Sequence, residues 1–208
     1  MPRIAARSAR CLFAVPTTER VVALTLDDGP DALHSPEILR LLRENDARAT
    51  FFLISSRVPG NEAIVARMAA EGHELGNHLT HDEPSARMAP EAFAVAVAEA
   101  DTVLERFAPV RWLRPASGWY NDAMLDTIER EGHRCALGSI YPYDAHQPWA
   151  RLSAAYILAN ARPGAVIVLH DGGHRGRRTV DALRRVLPEL RVRGYRVVTL
   201  SELAALRD

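Results

Sequence analysis

Short apolar, β-branched runs alternate with helix-period stretches from residue 20 almost to the end of the chain. The runs at 20–26 (RVVALTL), 49–54 (ATFFLI), 111–114 (RWLR), 165–170 (AVIVLH) and 195–200 (YRVVTL) have the length and composition of buried strands, and 73–76 (HELG) and 134–138 (RCALG) are weaker candidates. The helical stretches between them have legible ends. Ser35 reads as a cap with Pro36 at the first helical position and Ile38, Leu39 and Leu42 on one face; Pro90 opens a helix to about Phe107, and Asn121 begins another. Three helices are expected to stop at Gly72, Gly132 and Gly194, each just ahead of a strand, because glycine closes a helix in the left-handed conformation without a Cβ clash. The order is β then α, repeated about seven times. It predicts one domain over residues 1–208 with a parallel sheet, residues 1–19 forming an N-terminal extension. A barrel and an open doubly wound sheet both satisfy this pattern.

Composition narrows the partners. The 208 residues suffice for a sizeable core, and the 48% hydrophobic and 25% charged fractions are those of a globular protein. Lys plus Arg balances Asp plus Glu at 26 each, so no overall field recruits nucleic acid or an anionic membrane. Two cysteines, Cys11 and Cys135, are too few for a Cys-rich zinc module and read as inert thiols. The apolar run Cys11 to Val15 is shorter than the roughly 7–15 residues of a secretory core, and nothing approaches the roughly 18 of a membrane span. The expectation is a cytoplasmic protein, or one whose natural leader is absent from this sequence.

The unusual polar residues fall at the carboxyl ends of the expected strands. Asp27 and Asp28 follow 20–26; His78, His81 and Asp82 stand in GNHLTHDEP (76–84) after 73–76; Arg114 ends RWLR; Asp144 lies beyond 134–138; His170 and Asp171 terminate AVIVLH. In parallel α/β folds these ends converge on one face and build the site there. Singly, each has a plainer reading: DDGPD as a turn, His170 as a structural histidine, Arg114 as the partner of any carboxylate. Together they predict a functional cluster. Adjacent carboxylates after a buried strand can divide metal binding and proton transfer between them, and Arg114 could keep Asp27 ionised. His34, His73, His133, His146 and His174 read as structural or surface residues, and DGGHRGRR (171–178) as a solvated loop.

At these residues the chain resembles the polysaccharide deacetylases, carbohydrate esterase family four with its NodB-homology domain. TLDDGPD (25–31), RATFFL (48–53), GNHLTHD (76–82), LRPASGW (113–119) and VIVLHD (166–171) match the family's motifs in order, and GYRVVTLSEL (194–203) its closing strand and helix. The resemblance implies a distorted (β/α) barrel with about seven parallel strands, a divalent metal that is most often zinc, and hydrolysis of acetyl groups from amide- or ester-linked sugars. It implies Asp27 as general base, Asp28 as a metal ligand, Arg114 as the partner of Asp27, His170 as general acid and Leu169 as a wall of the acetyl pocket. The backbone N–H of Ser117 would help hold the oxyanion.

Three departures from the family pattern stand out. Four residues after His78 comes Asp82, whereas the nearby His81 is three after; either spacing suits one helical turn, and gap-free matching selects the triad Asp28, His78, Asp82. Ser117 replaces an aromatic, so Trp119 or Tyr120 would supply the sugar-stacking surface. Asp144 is the residue available to orient His170, with Trp149 as a wall. The implied substrate is an acetylated glycan or oligosaccharide containing N-acetylglucosamine. Another small amide is the alternative within the enzyme class, and a catalytically silent glycan-binding protein the alternative outside it.

Overall fold

The structure is a computed structural model and describes residues 8–144 and 148–207; His146 lies outside the described residues. In chain order the elements are β1 (Cys11–Leu12), β2 (Val21–Gly29), α1 (Ser35–Glu44), β3 (Thr50–Leu53), α2 (Glu62–Ala70), β4 (Glu74–Asn77), α3 (Pro90–Leu104), β5 (Trp112–Leu113), α4 (Asp122–Arg130), β6 (Arg134–Ala136), α5 (Ala150–Asn160), β7 (Ala165–His170), α6 (Gly173–Val192), β8 (Arg196–Val198) and α7 (Leu200–Ala204). Every strand pair is parallel, in the order β1-β6-β5-β4-β3-β2-β7, with β8 on the start of β2. Beyond β6, Ile140 forms a parallel bridge with Ile167 of β7, so the sheet returns on itself. Periodicity left barrel and open sheet undecided; this bridge makes it the distorted barrel.

Alternation along the strands sorts the apolar side chains into two layers. Val22, Leu24, Leu26, Ile167 and Leu169 pack outward against Ile38, Leu39, Leu42, Leu183 and Leu187 of the helices. Val21, Ala23, Phe52, Trp112, Ala136 and Val166 fill the interior with Val198 and Leu200. Burying these side chains, at roughly 1.5–3 kcal/mol each, is the main drive for sheet and helices to meet. Among the described residues no helix is long and apolar enough to cross a membrane.

Several local expectations change. Gly72, Gly132 and Gly194 do close helices at positive φ, and Asn121 caps α4 by accepting from the Met124 N–H. Ser35 is not a cap: it is the first residue of α1, and its hydroxyl donates to Asp171 Oδ2 at 2.6 Å. Residues 173–178 are not a loop but the first turns of α6. The cysteines are not free thiols. Parallel register sets Cys11 of β1 opposite Cys135 of β6 with Cα atoms 4.6 Å apart, and their sulfurs are joined across a separation of 124 residues.

Candidate active site

The two aspartates lie inside β2 rather than after it. The strand bulges between Asp27 and Gly29, where the register against β3 shifts and Asp28 takes φ 75°. Neighbouring side chains on a regular strand point to opposite faces; the bulge re-aims Asp28 so that both carboxylates serve the same end of the barrel. Gly29 follows because a Cβ there would stand 2.5 Å from Asp171 Oδ1.

Asp27 points at Arg114, whose Nη1 donates to Asp27 Oδ1 at 2.5 Å. The rest of the guanidinium is fixed by Thr25 Oγ1 (2.8 Å), the Ala136 carbonyl (3.1 Å) and the Leu137 carbonyl (2.7 Å), and it lies over the Phe52 ring at 4.2 Å. Both partners are buried. A guanidinium tied in this many directions cannot follow its carboxylate elsewhere, so it orients Asp27 as well as neutralising it.

Asp28 faces a histidine and a second arginine: Oδ1 is 3.5 Å from His78 Nε2, and Oδ2 is 2.5 Å from Arg175 Nη1. Burial pushes the Asp28 carboxyl up, but His78, His170 and Arg175 outweigh it and hold it well below the usual carboxylate range. His78 Nδ1 lies 2.7 Å from the Arg114 carbonyl, which can only accept; Nδ1 therefore carries the proton and Nε2 is the atom turned toward Asp28. Burial lowers the His78 pKa, and Asp28 and Asp27 raise it further than burial lowers it.

His170 is the cross-strand partner of Asp27. Its Nδ1 sits 3.0 Å from Asp144 Oδ2, and the same oxygen accepts the His170 backbone N–H at 3.0 Å. Burial would depress this imidazole; the Asp144 hydrogen bond and charge overcome that and raise its pKa to about 9. With Nδ1–H donated to a carboxylate, Nε2 carries the transferable proton at neutral pH.

Asp171, placed with His170 at the strand end but given no role from the sequence, is fully buried beside this group. Burial and the charges of Asp28, Asp31 and Asp27 raise its pKa to about 7 against the opposing Ser35 hydrogen bond. Arg57 was passed over by sequence reasoning: it donates to the Asp28 carbonyl and pairs with Asp82 Oδ2 at 3.2 Å. Nothing in the sequence singled out Arg57, whereas Asp171 adjoins a named histidine.

Other expected site residues are placed differently. Asp82 and His81 are exposed, and among the described residues no group of three metal-ligating side chains forms. The structure thus brings Asp28 to His78 and leaves Asp82 on Arg57, because the chain after β4 turns outward. Leu169 is fully buried in the layer facing the helices, so it does not line the site; alternation puts Val168 on the face of His170 instead. Tyr120 packs against the Cys11, Met124 and Leu125 cluster and accepts the Ser8 N–H at 3.1 Å, which removes it as a sugar platform. Trp119 is exposed, as is Ser117 at φ 61° in the turn after β5. Of the remaining histidines, His34 pairs with Asp31 and His133 with Asp101, each at 2.8 Å, and His73 is buried.

Asp28 and His78 fit a divalent cation. One is anionic, and the other has Nδ1 tied to a backbone carbonyl and Nε2 turned inward, as ligating histidines require.

The chain is similar to known proteins in both sequence and fold. Residues 14–136 match the polysaccharide deacetylase family model. The chain is 38% identical over 194 residues to a peptidoglycan-N-acetylglucosamine deacetylase of Bacillus cereus, covering 92% of this chain and 91% of that one. Among solved structures, a peptidoglycan N-acetylglucosamine deacetylase bound to an N-hydroxybenzamide superposes with a TM-score of 0.88 at 31% identity, covering 93% of this chain and 92% of the other. A family 4 acetyl xylan esterase from Clostridium thermocellum, holding a cobalt ion, gives 0.83 at 31% identity, over 89% of this chain and 91% of its own.

Proposed function

The chain belongs to the polysaccharide deacetylase family, the carbohydrate deacetylases, and on that premise we propose that it hydrolyses the N-acetyl group of N-acetylglucosamine units in a glycan. Asp27 acts as general base, His170 as general acid, and Asp28 and His78 are ligands to a divalent metal, zinc foremost. The observation that carries the reading is the pair of held dyads, Asp27–Arg114 and His170–Asp144, side by side on β2 and β7. A silent glycan-binding protein needs neither.

The residues divide the work by protonation state. Asp27, paired with a fixed guanidinium, is disposed to accept the proton of the attacking water. His170, protonated at neutral pH, donates from Nε2 to the leaving nitrogen; an amine departs poorly unless protonated. Asp144 keeps that imidazole in the required tautomer. A metal held by Asp28 and His78 would supply an acidified water and polarise the acetyl carbonyl. The Ser117 backbone, at the rim beyond β5, is offered as a further oxyanion donor, and Val168 rather than Leu169 as the wall at the acetyl methyl.

The Cys11–Cys135 bond supports action in an oxidising compartment, since such bonds persist there and are rare in cytosol. We therefore propose an oxidising compartment rather than the cytoplasm. The relative's glycan, peptidoglycan, is the first substrate to try. Acetate release should be measured over a panel of N- and O-acetylated glycans, with and without chelator. Release from N-acetylglucosamine oligomers, stopped by chelator, is expected; equal release with chelator would reject the metal, and none from any glycan would reject the activity.

A further inference from the structure

The geometry points to a second carbohydrate contact: an aromatic shelf on the outer face of α5, formed by Trp149, Tyr156 and Tyr143, that binds sugar units beyond the one being deacetylated. It rests on the deacetylase reading above. Leu152 and Tyr156 are spaced i, i+4 and so share one side of the helix, with Trp149 at its N-cap one turn before Leu152. These three are exposed, Trp149 at 57%, Leu152 at 45% and Tyr156 at 39%, whereas the side packed on the core carries the smaller Ser153 and Ala154 with Ile157. A surface helix normally does the reverse, burying its large apolar residues. A contiguous exposed apolar stripe marks a binding surface.

Tyr143 extends the stripe toward the catalytic group. It is 63% exposed, and its ring meets that of Tyr156 edge to face, with centroids 6.1 Å apart. It does so from φ 57°, a left-handed conformation that a bulky residue adopts only when its surroundings impose it. The next residue is Asp144, the partner of His170. The shelf therefore starts one residue from the catalytic machinery and runs about 10 Å along α5, the reach of at least a disaccharide. Tyrosine and tryptophan offer an apolar ring face with a polar edge, which suits the faces and hydroxyls of a pyranose better than an acyl chain. Continuity with Asp144 likewise favours the glycan over a lipid surface.

The test uses the intact protein and defined N-acetylglucosamine oligomers from dimer to hexamer. In Tyr143→Ala and Tyr156→Ala, the KM advantage of hexamer over dimer should shrink roughly fivefold, with circular dichroism and Tm reporting that the fold is kept. A length advantage untouched in both variants, or a loss equal at every length, overturns the shelf. A fully deacetylated hexamer, which cannot turn over, gives an independent readout. It should quench tryptophan fluorescence in the wild type and much less in either variant; equal quenching overturns the proposal. Wild-type inactivity on every oligomer would defeat the deacetylase reading while this titration still judged the shelf. If Tyr143→Ala spares glycan binding but abolishes sedimentation with phosphatidylglycerol vesicles, the surface is a membrane contact and the proposal fails.

Discussion

Arg114 Nη1 stands 2.5 Å from Asp27 Oδ1 with both side chains buried, and the rest of the guanidinium is spoken for by Thr25 and the carbonyls of Ala136 and Leu137. Removing one member of a buried pair leaves the other's charge uncompensated, at a cost of about 3–5 kcal/mol. Arg114→Met should therefore lower Tm strongly and abolish turnover together. Arg114→Lys should fold but remain impaired in kcat, because an ammonium cannot reproduce the fork. Thermal melts with kcat measurements check both; wild-type kcat in Arg114→Lys would count against an orienting role.

The His170–Asp144 dyad sets a pH limit. The folded pKa of His170 is about 9 against an ordinary 6.5, so the stability its protonated form contributes is complete below about 6.5 and is lost as pH rises toward 9. As general acid, His170 should give an alkaline limb in kcat/KM near its raised value. Asp144→Asn should move that limb toward neutrality and cut the rate about a hundredfold. A pH–rate profile on both proteins reads this out, and an unmoved limb would assign the acid elsewhere.

Metal affinity should depend most on the residues the structure brings together. His78→Ala should lose the ion outright in a calorimetric titration with zinc. Asp82 touches Arg57, which also holds the Asp28 carbonyl; Asp82→Ala should weaken binding more than His81→Ala does. The reverse ranking would make His81 the third ligand.

The disulfide joins β1 to β6, the strand whose Ala136 carbonyl holds Arg114. A bond closing so long a loop contributes about 2–4 kcal/mol. Reductant, or Cys11→Ser with Cys135→Ser, should lower Tm by several degrees, measured at fixed pH. Identical melts with and without reductant would show that the thiols are unpaired.

What the sequence disclosed, and what it withheld, follows the same physics. Asp27, Arg114, Asp144 and His170 were legible because each ends or follows an apolar run, and such ends share a rim whatever the strand order. Gly72, Gly132 and Gly194 were legible because helix closure needs local backbone freedom. Leu169 and Tyr120 were misplaced because their facing depends on strand alternation and on packing against residues far along the chain. The Asp28 bulge and the Cys11–Cys135 pairing arise from register between strands, which no local pattern encodes. Arg57 and Arg175 looked like ordinary surface cations, and only tertiary proximity to Asp28 sets them apart.

The most direct test is Asp27→Asn loaded with zinc, assayed for bound metal and for acetate release from an N-acetylglucosamine oligomer. The isosteric amide still accepts from Arg114 but is too weak a base for the attacking water. The account predicts metal content equal to wild type with acetate release lowered at least about a hundredfold; full release from the metal-loaded variant would contradict it.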